Sequence, residues 1–158
     1  MIVVSDTSPI LYLVSINRVE LLPQLYEKII IPDIVKAEMS ATGAPAVLKK
    51  WISNPPDWLE IRAVLDGDIS TLQRLHPGER AAILLAQKIK ADLLLVDDKD
   101  AHQTAQSLGL KITGLLGILG EASKQNQLDL ASTINQLLRE TNFRASPRLI
   151  REILNQFS

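Results

Sequence analysis

Short aliphatic runs that end in a turn and then a helix recur along this chain, and that alternation constrains its fold more than any other feature. Ile2–Ser5 runs into "DTSP", where Thr7 or Ser8 reads as a helix cap and Pro9 sits in the first turn. Ile29–Ile31 runs into Pro32 and a helix that ends near Ser40. Leu59, Ile61 and Ala63 alternate with polar neighbours, the pattern of an edge or half-exposed strand. Leu93–Val96 is apolar throughout, as a buried parallel strand is. A helix from about Lys99 to Leu108 and a short strand at Lys111–Thr113 follow it. Between these, "GAPAVLKKWIS" reads as a helix and "NPPDW" as a turn. "DISTLQRL" reads as a short helix, Pro77-Gly78 as a break and the residues after it as a longer helix. Leu115 to Phe157 is helical in pattern, broken near Arg144–Pro147. Strands alternating with helices predict the α/β class: a three-layer α/β/α sandwich around a parallel sheet of four to five strands. Ligands bind such sheets at the carboxyl ends of strands, where the strand order reverses.

At 158 residues the chain is one domain, long enough to bury a sizeable core. A net charge of −1 gives no global basic field, so any nucleic-acid surface is local. The absence of cysteine excludes disulfides, thiolate metal sites and thiol nucleophiles together, and fits a reducing compartment. The apolar start carries Asp6 and no basic region, so it reads as strand and helix rather than a signal peptide. No apolar run is long enough to span a bilayer. These features point to a soluble, cytoplasmic protein without a membrane partner.

The acidic residues fall where the strand-end rule looks. Asp6 closes the first strand, although in "DTSP" it can also serve as a helix cap. Glu38 shares a helical face with Ile34 and Val35. A carboxylate on a core-facing stripe is expensive unless paired or bound to a metal, and the plainer alternative is a stripe-edge Glu reaching water. Glu79 repeats the pattern against Ala82, Ile83 and Ala86, while a Glu in a first turn also answers the helix dipole. Asp97 and Asp98 close Leu93–Val96, with Asp100 beyond them. One of these three caps the next helix, which leaves two without a local purpose. Like charges so close repel unless a cation sits among them. Such a set suits a hard divalent ion, Mg²⁺ or Mn²⁺, which takes oxygen ligands and keeps room for water and phosphate. Metal-assisted phosphodiester hydrolysis uses a cluster of this kind.

Taken in order, "VVSDTSPILYL", "IIIPDIVKAEM", "PGERAAILLA", "ADLLLVDDKDA" and "SLGLKITGLLGIL" resemble the PIN-domain family of metal-dependent ribonucleases. Within it they are most similar to the VapC-type toxins of bacterial toxin–antitoxin pairs. The likeness runs from Met1 to about Ala122. It is closest to a compact branch long without an assigned function, whose members end in a segment like "FRASPRLIREIL". The resemblance implies a single PIN-like domain over residues 1–158, with a helical C-terminal segment from about residue 129. It puts the family's four acidic positions on Asp6, Glu38, Glu79 and Asp97, as catalytic residues and metal ligands. Many relatives carry Asp at the position of Glu79, so this ligand reaches further from its backbone. Relatives also end the last strand in Thr, one residue and Asp, which aligns Asp98 instead and sets Val96 in place of the Thr. Asp98 therefore stands beside Asp97 as a second ligand. Thr7, Ser8 and Asp100 take supporting positions, with Thr7 or Ser8 orienting a water. The implied activity is endoribonucleolytic hydrolysis of single-stranded or loop RNA with Mg²⁺ or Mn²⁺ and no covalent enzyme intermediate. The implied partners are a second copy in a homodimer and a small cognate antitoxin protein. The alternative is a catalytically silent PIN-like module that binds or scaffolds.

Other features are weaker. Arg144, Arg148 and Arg151 are candidates for RNA phosphates, as are Lys49 and Lys50, against the plain reading of a solvated helix face. Gly114, Gly117 and Gly120 lack the Lys-Ser/Thr ending of a phosphate loop and read as packing positions. His76 and His102, without cysteine, make a poor zinc site; His102 has two readings, a role near the acids or, more simply, a surface residue. Trp51 and Trp58 read as packing residues beside the Pro turn. A haloacid-dehalogenase-like phosphatase needs Asp-x-Asp after its first strand, where this chain has Asp6-Thr7-Ser8. A response-regulator receiver carries its acidic pair after the first strand, and here the pair comes late.

Overall fold

The computed structural model describes residues 1–64 and 75–157. The short helix expected from "DISTLQRL" lies outside the described residues. β1 (Val3–Ser5), β2 (Ile29–Pro32), β3 (Leu59–Arg62), β4 (Leu93–Leu95) and β5 (Ile112–Thr113) form one parallel sheet in the order β3-β2-β1-β4-β5. Between and after them run α1 (Thr7–Ser15), α2 (Leu21–Tyr26), α3 (Asp33–Ser40), α4 (Ala46–Ser53), α5 (Pro77–Lys88), α6 (Lys99–Ser107), α7 (Leu115–Lys124), α8 (Leu130–Glu140) and α9 (Pro147–Gln156). β3 lies at a sheet edge, and its exposure rises from buried Leu59 to exposed Arg62.

Successive strand residues point to opposite faces, so an all-apolar strand feeds two cores. Val3, Ile29, Ile31, Leu93 and Leu95 pack with residues of α1, α2, α3, α4, α7 and α8. Val4, Ile30, Leu94 and Val96 pack on the other face against Ala82, Ile83 and Ala86 of α5 and Ala101 and Ala105 of α6. Three layers result. The sheet is the middle one because only it is apolar on both sides.

Three boundaries are settled or shifted relative to the sequence reading. Of the caps the sequence offers for α1, Asp6 rather than Thr7 or Ser8 occupies the position. A separate helix, α2, precedes β2. The C-terminal region breaks twice rather than once: Asn126 takes a left-handed conformation (φ 58°) before α8, and Ser146 caps α9 after the break expected there. Asp129 caps α8 by accepting the Ser132 N–H at 2.9 Å.

The strand order matters most for function. β1 is central, with β2 on one side and β4 on the other, so the chain's direction of progress across the sheet reverses beside β1. Ser5 pairs in register with Leu95, and the Asp6 N–H donates to the Leu95 carbonyl at 3.0 Å. The residues leaving β1 and β4 thus emerge together, where an open α/β sheet leaves a crevice.

Candidate functional site

Asp6 leaves β1 into this crevice almost wholly buried, at 5% exposure. Its side chain accepts no capping hydrogen bond from α1, so helix capping does not account for it. Burial pushes its pKa from 3.8 to about 7; the nearby Thr7 N–H opposes the rise, Glu79 and Glu38 add to it and His76 partly offsets them.

Glu38 arrives from α3, on a face it shares with buried Val35 and Met39. Ile34 is 38% exposed, so the apolar stripe is narrower than the sequence suggests. Thr7 Oγ1 donates to Glu38 Oε2 at 3.0 Å. His76 Nδ1 stands 3.2 Å from Glu38 Oε1, a charge contact when the imidazole is protonated. It lacks the alignment of a hydrogen bond, and Oε1 is buried without one. The carboxylate lies so close to Gly78 that a Cβ there would stand 2.5 Å from Oε2. Glu79 Oε1 accepts the His76 N–H at 3.0 Å, closing a capping box at the start of α5. Partial burial raises the Glu79 pKa, the His76 N–H lowers it, and Asp98 adds to the rise. Asp6, Thr7, Ser8, Glu38, His76, Glu79 and Asp98 line one cavity of about 360 Å³.

Asp97 and Asp98 part company. Asp97 Oδ1 accepts the Leu115 N–H at 2.8 Å at the amino end of α7, and Oδ2 is buried without a hydrogen bond. Burial raises its pKa, while the Leu115 bond and His102 pull the other way. It lines a larger adjoining cavity of about 1070 Å³ and not the smaller one. Asp98 is exposed and caps α6 through the Ala101 N–H at 3.1 Å, yet it lines both cavities, as do Ser8 and Glu79. Asp100 is exposed in the first turn of α6 and lines neither.

The crevice therefore gathers Asp6, Glu38, Glu79 and Asp98, with Asp97 next door. No group of three or more His, Asp or Glu side chains among the described residues stands ready to hold a metal ion. Glu38, Glu79, Asp97 and Asp98 each accept a hydrogen bond from an internal donor through one oxygen. The donor set still fits a hard cation. It is all carboxylate oxygen, Glu38 Oε1 and Asp97 Oδ2 lack hydrogen bonds, and the charge around Asp6 is only partly offset by the Thr7 N–H and His76.

Sequence reasoning passed over several neighbours. His76 joins the cavity because the break at Pro77-Gly78 makes it the cap of α5, a signal the sequence did carry. His102 is half-buried rather than a surface residue; its ring contacts the Val96 carbonyl and lines the larger cavity. Tyr12 and Phe143 also line that cavity, as does Arg144. Arg148 instead pairs with Glu152 at 3.2 Å on the exposed side of α9, and Arg151 is exposed away from both cavities. Trp51 and Trp58 pack together with ring centroids 5.8 Å apart.

A family model described as a PIN domain matches residues 2–158. The solved structure of a PilT N-terminus domain protein from the hyperthermophilic archaeon Sulfolobus solfataricus P2 is similar in fold, with a TM-score of 0.52 and 20% identity. The similarity covers 77% of this chain and 93% of that one. No curated protein sequence matches significantly. No helix among the described residues is long and apolar enough to cross a membrane.

Proposed function

Because the chain belongs to the PIN-domain family, whose members are generally nucleases, we propose that it is a metal-dependent endoribonuclease. The observation that carries this reading is Asp6: a buried carboxylate at the reversal of strand order, without a capping role and facing Glu38 and Glu79. Asp6, Glu38 and Glu79 are the proposed ligands from one side, and Asp97 and Asp98 complete the set from the end of β4. Asp98 faces the shared cavity, and Asp97 would offer the ion its Oδ2, which accepts no hydrogen bond. When bound, Mg²⁺ or Mn²⁺ neutralises the scissile phosphate and makes water a nucleophile at neutral pH. Thr7 holds Glu38 by its hydroxyl, and Ser8 orients the incoming water. The water oxygen bonds to phosphorus as the bond from phosphorus to the leaving oxygen breaks, the water's proton ends on that oxygen as a hydroxyl, and the products are two shorter strands, one ending in a phosphate and the other in a hydroxyl.

The finer reading follows the family resemblance: a VapC-type toxin in the cytoplasm, a homodimer, restrained by a small antitoxin protein. A second reading, a silent binding module, is favoured by the absence of ready ligand geometry among the described residues. Cleavage of RNA with Mn²⁺ or Mg²⁺ separates the two. Activity should vanish with EDTA and in Asp6→Asn; an Asp6→Asn protein that still cleaves would sink the metal mechanism. Co-purification of a small protein that suppresses cleavage tests the toxin assignment.

A further inference from the structure

The larger cavity continues from the acidic end along a wall that the acids do not need. Tyr12 of α1 and Phe143 of the loop before α9 meet there edge to face, with ring centroids 5.3 Å apart at 81°. Tyr12 donates its hydroxyl to Asn142 Oδ1 at 3.0 Å, so the pair is fixed from both sides. Both rings are half-buried and keep accessible surface on the cavity. Arg144 follows directly. Its Nη1 donates to the Phe143 carbonyl at 2.8 Å and to the Thr141 carbonyl at 3.4 Å, and it pairs with no carboxylate among the described residues. Tyr12, Phe143 and Arg144 line the same cavity as Asp97 and Asp98, which joins this wall to the acidic end. Beyond the acids, Lys111, Arg144 and Glu121 are the charged side chains of the cavity, two cations to one anion.

An aromatic surface paired with an oriented, uncommitted guanidinium recognises a base and its phosphate together. We propose that Tyr12, Phe143 and Arg144 form a nucleotide subsite that holds one base and one phosphate of a single-stranded RNA next to the bond cut at the acidic end. This deepens, and rests on, the nuclease reading of that end. The subsite positions the strand; it does not take part in the chemistry.

The test measures binding without turnover, on the Asp6→Asn protein in Mg²⁺, with short oligoribonucleotides carrying 2-aminopurine at successive positions. One position should change fluorescence on binding, and Phe143→Leu should abolish that change. Arg144→Ala should weaken binding roughly tenfold and lower the slope of log affinity against log salt by about 1. Arg144→Lys should restore the slope. Arg144 is exposed and bonds only backbone carbonyls, so Arg144→Ala tests the idea without a folding penalty. Unchanged affinity and slope in Arg144→Ala would overturn the subsite, as would a fluorescence change that survives Phe143→Leu. Tighter oligoarginine binding in Arg144→Ala, with RNA unaffected, would also overturn it and assign the groove to a basic peptide. If wild-type protein binds as stated but cleaves nothing, the nuclease reading fails and the subsite stands.

Discussion

Asp6 directly follows Ser5, and Asp97 lies two residues past Leu95, the register partner of Ser5; Asp6 is buried and Asp97 half-buried, and the fold treats them differently. Asp97 is met by the Leu115 N–H at the amino end of α7, where the helix's free amides and dipole favour a negative charge. Asp6 stands at the head of α1, in the position where such help is nearest, and takes no capping bond. Two more carboxylates, Glu79 and Glu38, stand near it, and the Thr7 N–H and His76 offset its burial and their charge only in part. Raising an acid from 3.8 to about 7 corresponds to roughly 4 kcal/mol against the ionised folded state. A strand-end acid alone therefore says little. What separates these two carboxylates is how far the fold offsets the charge of each before any ion arrives.

The sharpest way to break this comparison is to neutralise each acid in turn. Asp6→Asn should lower kcat/KM for RNA on the order of 1,000-fold or more, comparable to losing a charge-stabilising group in a water-poor site. The same change should stabilise the metal-free protein. Asp97→Asn should also impair cleavage, but it should stabilise the metal-free protein less than Asp6→Asn does, because the Leu115 N–H already offsets part of the cost of burying its charge. Urea unfolding of both variants without metal, beside RNA cleavage with Mn²⁺, measures the two effects. A stabilisation by Asp97→Asn as large as that by Asp6→Asn would erase the distinction.

The pH dependence comes next. Below about pH 3.8 Asp6 is protonated in the folded and the unfolded chain, so its burial carries no penalty. Between there and about pH 7 the unfolded carboxyl ionises first, and stability falls as pH rises. Above that window the loss is complete, at most about 4 kcal/mol. The difference in unfolding free energy between Asp6→Asn and wild type should grow across this window and then level. Mn²⁺ should raise the wild-type Tm more at pH 7.5 than at pH 5, because the ion binds the ionised carboxylates. A difference that is flat with pH would mean Asp6 is not the under-compensated acid.

A smaller effect should follow from Thr7, which orients Glu38 by a 3.0 Å hydrogen bond. Thr7→Val keeps the shape and removes the donor. Partners that orient a metal ligand are worth roughly 10- to 100-fold in affinity or activity. Mn²⁺ titration should show a loss in that range, with Thr7→Ser retaining most of the affinity. No loss would place Glu38 outside the metal's reach.

These contrasts also explain what the sequence could reveal. The strands were legible because a parallel strand between two helical layers must be apolar on both faces, as Leu93–Leu95 is. The strand-end acids were legible because ligands in such sheets bind where the order reverses. The different fates of Asp97 and Asp98 were not, since adjacent residues leave a strand toward opposite sides and Asp97's partner lies 18 residues away. Nor was the contact between His76 and Glu38, which only the packing of α3 against α5 brings together. The second C-terminal break turned on Asn126 adopting a left-handed conformation, which its sequence neighbourhood permits but does not require.

Two glycines offer the finest version of the comparison, since each seats one carboxylate. A Cβ at Gly114 would stand 2.8 Å from Asp97 Oδ1, and one at Gly78 2.5 Å from Glu38 Oε2. Asp97 is short and tied to the Leu115 N–H, so it can yield only by giving up that bond. Glu38 is longer, and its end can swing away. Gly114→Ala should therefore cost about 1–2 kcal/mol of stability, read by urea unfolding. Gly78→Ala should cost less stability and show itself chiefly as weaker Mn²⁺ binding. The reverse pattern would mean that Glu38, not Asp97, is the carboxylate held more firmly by the fold.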